Sequence, residues 1–315
     1  MTIEQAGVPS PTESDVLIAP TLVGLDWYDA AVAANTERAQ AWTPGRTFVG
    51  RVEGAGSRAT ALHGQRVVAS PDIVCGACDL CRGGLSAHCR QRALLGSPAH
   101  DGCLQDHFIL RAMNVCAIAD SMSDDHAVFA LPLARALQAA WMTHLEGRPY
   151  VTVLGRGADA ILTAQAMALL NASVRIVTNC EHTLHAADRL SMRHRPLNQV
   201  GRRADQDVIV DVSAPGGGLD DALAMARPRG KVVLLRPLAP PAEEWQDIVD
   251  AQQVVEKEIE LIGCRGARLR EAVTMLERAE VNVEGLITQR FKLDNAARAF
   301  EAAKRADQMK VVIEF

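Results

Sequence analysis

The sequence predicts an α/β chain in two parts: an irregular, barrel-like β domain, then a doubly wound parallel sheet. Three observations carry this. Short β-type runs broken by Gly and Pro occupy the chain as far as Ile118. Beyond Asp124, apolar strand runs alternate with helical stretches, the pattern of βαβ units buried on both faces. With 315 residues, 48% of them hydrophobic, the chain is long enough for two cores.

The first part reads as strands over 16–18, 47–51, 65–69 and 107–110. Helical periodicity then runs over 127–144. Strands are expected at 150–154, 174–178, 207–212, 231–235 and 258–262, with helices over 158–170, 184–192, 219–226, 242–255 and 268–279. The crossover from Met192 to Asp207 holds Pro196, Gly201 and a weak strand at 197–200, but no helix. The tail changes style again: a strand over 287–291, a helix over 294–304 and a closing strand over 310–315. These shifts divide the chain into 1–125, with a four-cysteine lobe at 75–89, then 126–280 and 281–315.

A net charge of −5 argues against nucleic acid, which demands a Lys/Arg surplus. The most apolar stretch, 128–142, is interrupted by Pro132 and Arg135 and falls short of a membrane span. The first residues have neither a basic nor an apolar leader region. A cytoplasmic protein with a small-molecule substrate is expected.

Cys75, Cys78, Cys81 and Cys89 crowd into fifteen residues, whereas the other four cysteines are scattered. In a reducing compartment such a cluster reads as a metal site, and four thiolates close a tetrahedral structural zinc. An iron–sulfur run would continue with a three-residue gap and Cys-Pro, but here seven residues intervene and Arg90 follows. Zinc-finger pairs are spaced more widely. Zinc is the favoured reading, one ion per chain.

The run 151–160 is a strand entering G-x-G-x-x-A and then a helix. Gly155 permits the tight turn, Gly157 lets a pyrophosphate approach, Ala160 allows close packing, and Arg156 sits within the turn. Opening a βαβ series gives this motif the context of a Rossmann-type dinucleotide site. The alternative is the same fold with an unused cleft. Thr178 and Asn179 stand where an acid would bind the NAD ribose, so the cofactor is NADP or NAD, with a lean to NADP.

Taken together, the β domain, the C-G-x-C-x-x-C lobe, the glycine turn and the returning tail resemble one family. It is the zinc-type medium-chain dehydrogenase/reductases, the alcohol dehydrogenase-like proteins. Runs 48–52, 64–68, 101–103, 207–211, 227–233 and 310–315 match as well. The resemblance implies a GroES-like barrel plus a Rossmann domain, NAD(P)-dependent hydride transfer in the cleft between them, and a homodimer paired through the strand at 258–262.

The departures concern the family's catalytic zinc. Asp26 stands where the resemblance places a Cys ligand, Arg46 and Thr47 replace a His–Glu pair, and Leu131 replaces a later Glu. Arginine stays protonated and has no lone pair to offer, so this zinc is expected to be absent. Asp26 and Arg46 should instead form an ion pair. Tyr28 takes the position of the family's proton-relay hydroxyl and is a candidate proton donor, with Arg46 stabilising an enolate. Alternatively, Trp27 and Tyr28 only fill the space. A metal rebuilt from Cys103, His107 and His100 would need that stretch to be a strand. The reaction is hydride transfer to or from a small carbonyl, alcohol or activated alkene. The rival is a non-catalytic descendant serving in binding, regulation or assembly.

Overall fold

The computed structural model describes residues 7–26, 29–31, 42–144, 147–201, 203–213, 217–235 and 249–315. β1 (Asp15–Leu25) and β2 (Thr47–Ala55) form a long antiparallel pair. Its register slips between Pro20 and Leu22, because proline has no N–H to give the ladder. Gly50 opposite lets the strands close: a Cβ there would lie 2.8 Å from the Ala19 carbonyl. β3 (Arg66–Ala69) adds to β2, after which β4 (Asp72–Ile73), α1 (Asp79–Arg82) and β5 (Ala93–Leu94) frame the cysteine lobe. β6 (Phe108–Arg111) returns to β1, and β7 (Val115–Ile118) to β3. α2 (Asp124–Ala127) is capped by Ser123, and α3 (Ala130–Thr143) follows.

The second sheet is built from β8 (Tyr150–Leu154), α4 (Gly157–Ala168), β9 (Ser173–Thr178), α5 (Glu181–Arg189) and β10 (His194–Pro196). It continues through β11 (Gln206–Asp211), α6 (Leu219–Met225), β12 (Ala226–Leu234), α7 (Ala251–Glu256), β13 (Glu260–Gly263) and α8 (Leu269–Glu277). All neighbours are parallel, in the order β10-β9-β8-β11-β12-β13. The order reverses between β8 and β11, which is where such sheets open a crevice. The tail, β14 (Gln289–Lys292), α9 (Ala296–Lys304) and β15 (Val311–Glu314), goes back to the first sheet. There β15 pairs antiparallel with β1, Leu22 facing Glu314 and Leu25 facing Val311.

Three apolar clusters hold these layers. In the barrel, Phe48 and Phe108 meet edge to face at 4.9 Å between centroids, with Val16, Ile18, Val52 and Phe300 around them. One face of the parallel sheet packs Val151, Val153 and Ile176 under α3, α4 and α8, while the other packs Leu154, Val177 and Ile209 under α6.

Two sequence expectations need correction. The strand expected at 197–200 lies earlier, at His194–Pro196, and Leu197–Gln199 is a 3-10 turn. The Asn179 side chain accepts the Leu197 N–H at 3.1 Å, diverting the chain from the sheet. The helix expected over 242–255 begins at Ala251, where the Asp250 carboxylate accepts from the N–H groups of Gln252 and Gln253. Its earlier part, within 236–248, lies outside the described residues.

Candidate active site

The cysteine lobe is organised by its own backbone. Cys78 caps α1, its sulfur accepting from the Cys81 N–H, and the Cys75 sulfur accepts from the Cys78 N–H at 3.4 Å. The Arg90 and Cys81 N–H groups hold the Cys78 thiol down to about 6, favouring the thiolate. Sulfur separations are 3.5 Å for Cys75–Cys89 and 4.0 Å for both Cys75–Cys81 and Cys78–Cys89. A tetrahedron with Zn–S bonds of about 2.3 Å needs S···S distances of about 3.8 Å. The donor set therefore fits a closed, structural tetrahedral ion, and among the described residues it is the only such cluster. Arg265, just after β13, donates to Asp72 at 2.8 Å and to the Ala87 carbonyl at 3.1 Å, tying the lobe to the parallel sheet.

A cleft lies between the two sheets. Its walls include Leu25, Asp26 and Thr47 from the barrel, Leu131 and Arg135 from α3, and Arg156, Gly157 and Asp159 from the glycine turn. Met309 and Lys310 of the returning tail complete it. The chain thus brings the vacated zinc position and the dinucleotide turn into one cavity.

At the barrel end, the expected ion pair is present. Arg46 Nη2 donates to Asp26 Oδ1 at 2.9 Å and Oδ2 at 3.0 Å. Asp26 and Asp29 cap each other, each backbone N–H reaching the other's carboxylate at 3.1 Å. Asp29 Oδ1 lies 3.9 Å from Arg46 Nε and is buried with no hydrogen bond to any described residue. Burial would raise the Asp26 carboxyl, but Arg46 and then Lys310 outweigh it and hold it well below the carboxylate range. Asp29 moves the other way: burial, then the Asp26 charge, push it up to about 7. The surroundings thus favour the charged form of Asp26 and the protonated form of Asp29.

This donor set does not fit a catalytic zinc. The Arg46 guanidinium, which cannot ligate a metal, holds both Asp26 oxygens, and Leu131, at the position where the resemblance places a further ligand, is buried and apolar. The rebuilt alternative is not assembled either. Residues 103–107 form no strand, Cys103 is fully buried, His107 bonds Glu53 at 2.9 Å and His100 bonds the Asp101 carbonyl at 2.7 Å. Trp27 and Tyr28 lie outside the described residues.

The glycine turn joins β8 to α4, with its first N–H groups engaged within the chain. Gly155 (φ 142°) sits against β11, where a Cβ would meet Val212 Cγ2 at 2.5 Å. Gly157 (φ 74°) begins α4 and donates to the buried Thr183 hydroxyl at 2.9 Å, while the Ala158 N–H donates to the Met309 carbonyl at 3.3 Å. Ala160 is fully buried under the strand. Thr178 is buried, its hydroxyl accepting from the Cys180 N–H, and Asn179 is exposed at the strand end.

Sequence reasoning missed Lys310, Arg135 and Asp29. Lys310 has 6% exposure, and no described residue forms an ion pair with its ammonium group. Its stem crosses Gly24, where a Cβ would come within 2.7 Å of Cε, so glycine at 24 was the legible signal. Asp29, three residues after Asp26 and so placed to cap it reciprocally, was another.

Comparison with known proteins agrees with this architecture. The alcohol dehydrogenase GroES-like domain matches residues 12–120. An L-threonine 3-dehydrogenase of Anaeromyxobacter sp. (strain K) is 27% identical, covering 98% of this chain and 93% of its own. Over its whole length the chain is thus similar to the zinc-type, alcohol dehydrogenase-like medium-chain dehydrogenase/reductases. Solved structures share its fold. A zinc-binding dehydrogenase from Sinorhizobium meliloti 1021, bound to NADP, superposes with a TM-score of 0.86 at 22% identity, over 98% of this chain and 94% of that one. Galactitol-1-phosphate dehydrogenase from Escherichia coli gives 0.85 at 20%, over 99% and 96%.

Proposed function

We propose that this chain is an NAD(P)-dependent oxidoreductase acting on a small alcohol or its carbonyl partner, with one structural zinc and no catalytic zinc. The observation that carries the reading is the single cleft in which Asp26 and Lys310 face the glycine turn. The names of the relatives, a threonine dehydrogenase and a polyol phosphate dehydrogenase, favour an oxidoreductase over a non-catalytic descendant.

Cys75, Cys78, Cys81 and Cys89 would hold the zinc. Gly155, Arg156, Gly157 and Ala160 would take the dinucleotide pyrophosphate, with the adenosine end near Thr178 and Asn179. The nicotinamide supplies or accepts the hydride when bound. The chain's own groups must then move a proton and balance charge on the substrate oxygen, a task a zinc ion does elsewhere. Tyr28 is the proposed proton donor. Arg46, fixed by Asp26, and Lys310 at the cleft wall make the substrate end cationic, which favours an oxyanion. Asp29, whose carboxyl is raised by burial and by the Asp26 charge, resists adding a second buried negative charge to the site.

For the assembly we propose a cytoplasmic homodimer joined through β13, the terminal strand of the parallel sheet. No helix among the described residues is long and apolar enough to cross a membrane. The working domain limits remain 1–125, 126–280 and 281–315, and the pairing of β15 with β1 supports assigning the last to the first. Two measurements test the reading together: NADPH and NADH titration, and turnover of small polyols, aldehydes and enones. Absence of nucleotide binding at millimolar concentration sinks it; turnover abolished by chelators that leave the structural zinc in place sinks the zinc-free chemistry.

A further inference from the structure

At the opposite, N-terminal edge of the parallel sheet lies a second cavity of about 340 Å³, lined by Tyr150, Ser173, Arg175, Arg193, Asp205 and Gln206. It opens where, among the described residues, the crossover from β10 to β11 lays only a 3-10 turn over the sheet. The inner wall is a polar relay rather than the usual apolar face. Arg175 Nε donates to the Thr152 hydroxyl at 3.0 Å, Thr152 donates to Gln206 Oε1 at 2.8 Å, and Gln206 Nε2 donates to Asp205 at 2.7 Å. Thr152 is fully buried and Gln206 nearly so. The relay fixes each donor's direction and aims the guanidinium of Arg175.

Two cations in this cavity hydrogen-bond only neutral groups, although the Asp205 carboxylate also lines it. Among the described residues Arg175 hydrogen-bonds the Thr152 hydroxyl alone, and the Arg193 side chain reaches only Ser173 Oγ, at 3.1 Å. Arg175 is half-buried, and that burial disfavours its charge, with Arg195 nearby adding repulsion and Asp205 only partly offsetting it. A partly desolvated guanidinium without a bonded anion is an incomplete arrangement. The Ser173 hydroxyl, accepting from Arg193, still has its own proton to donate.

We propose that this cavity is a binding site for a phosphoryl oxyanion, either inorganic phosphate or the head of a small phosphorylated metabolite, held by Arg175, Arg193 and Ser173. Planar guanidinium forks match tetrahedral oxyanions in pairs, and two of them match a dianion. The site lies at the strand starts, across the sheet from the glycine turn at the strand ends, and is independent of the cleft chemistry.

The test is calorimetric titration of the full-length protein with inorganic phosphate, in chloride buffer at constant ionic strength. Saturable binding is expected, weakened by about tenfold or more in Arg193→Ala and in Arg175→Lys, which keeps the charge but loses the fork. Arg193 is exposed, so Arg193→Ala should melt with the wild type, and it decides the matter if Arg175→Lys does not fold. Arg156→Ala, in the glycine turn, removes only phosphate held at that turn and should leave the Arg193-dependent binding in place. No saturable binding, unchanged affinity in Arg193→Ala, or loss confined to Arg156→Ala overturns the assignment.

Discussion

Arg46 closes on Asp26 with one guanidinium nitrogen shared between both carboxylate oxygens, at 2.9 and 3.0 Å. A cation on the chain thus meets the carboxylate where the family resemblance places a metal, and arginine has no lone pair with which to ligate one. The pair is mostly out of water, with side-chain exposures of 7% and 20%.

Breaking the pair should be costly. Arg46→Ala leaves the Asp26 charge with Lys310 as its remaining cationic neighbour, and unfolding in urea should show a loss of about 3–5 kcal/mol. Replacing both partners, Asp26→Asn with Arg46→Met, should recover most of that loss. A double variant as unstable as the single one would mean that the Arg46 stem, rather than its charge, does the stabilising.

Asp29 should give stability an unusual pH slope. In the unfolded chain its carboxyl ionises near ~3.9, whereas folded Asp29 keeps its proton to about 7. Between those values the folded state binds the extra proton, so this residue's contribution falls as pH rises from about 4 to about 7. Asp26, held low, contributes oppositely: its stabilisation is present above the ordinary carboxylate range and is lost as pH falls below it. Asp29→Asn should therefore flatten the fall and gain on the order of 4 kcal/mol at pH 8. An unchanged slope in chemical denaturation from pH 5 to pH 8 would rule this out.

Metal analysis should return one zinc per chain. Cys81→Ala should lose it and expose the lobe to protease between β4 and β5, while the parallel sheet keeps its far-ultraviolet signal. Two zinc ions per reduced chain would require a second donor set.

The lobe's hold on the parallel sheet should depend on Asp72, where Arg92 and Arg265 converge on one oxygen at 2.7 and 2.8 Å. Asp72→Ala leaves both guanidiniums without that acceptor. Hydrogen exchange should speed up in the lobe and around Arg265 but not in the barrel strands; uniform exchange would deny the clamp.

Nucleotide binding should fail in Gly157→Val. The backbone there has φ 74°, which a branched residue resists, and a Cβ would lie 3.5 Å from the Met309 carbonyl, so valine must reshape the turn. Fluorescence titration with NADPH reads this directly, and wild-type affinity in the variant would place the cofactor elsewhere.

Local pattern carried much of this protein. The alternation of β8–β13 with helices, the glycine turn and the four-cysteine spacing depend on near neighbours in the chain, so periodicity and motif exposed them. Even the Asp26–Arg46 pair was legible, because replacing two ligands that must converge on one metal implies that their substitutes also converge. Element edges were less so: β10 ends at Pro196 because Asn179, from another strand, takes the Leu197 N–H. The tertiary structure alone decided that Lys310 returns from the last strand to lie over Gly24, and that Asp29 is buried enough to hold a proton. It also decided that Arg175 and Arg193 share a cavity under a crossover with no helix. Such facts join residues far apart in sequence, and the charge state of a buried group depends on everything packed around it, which no local window contains.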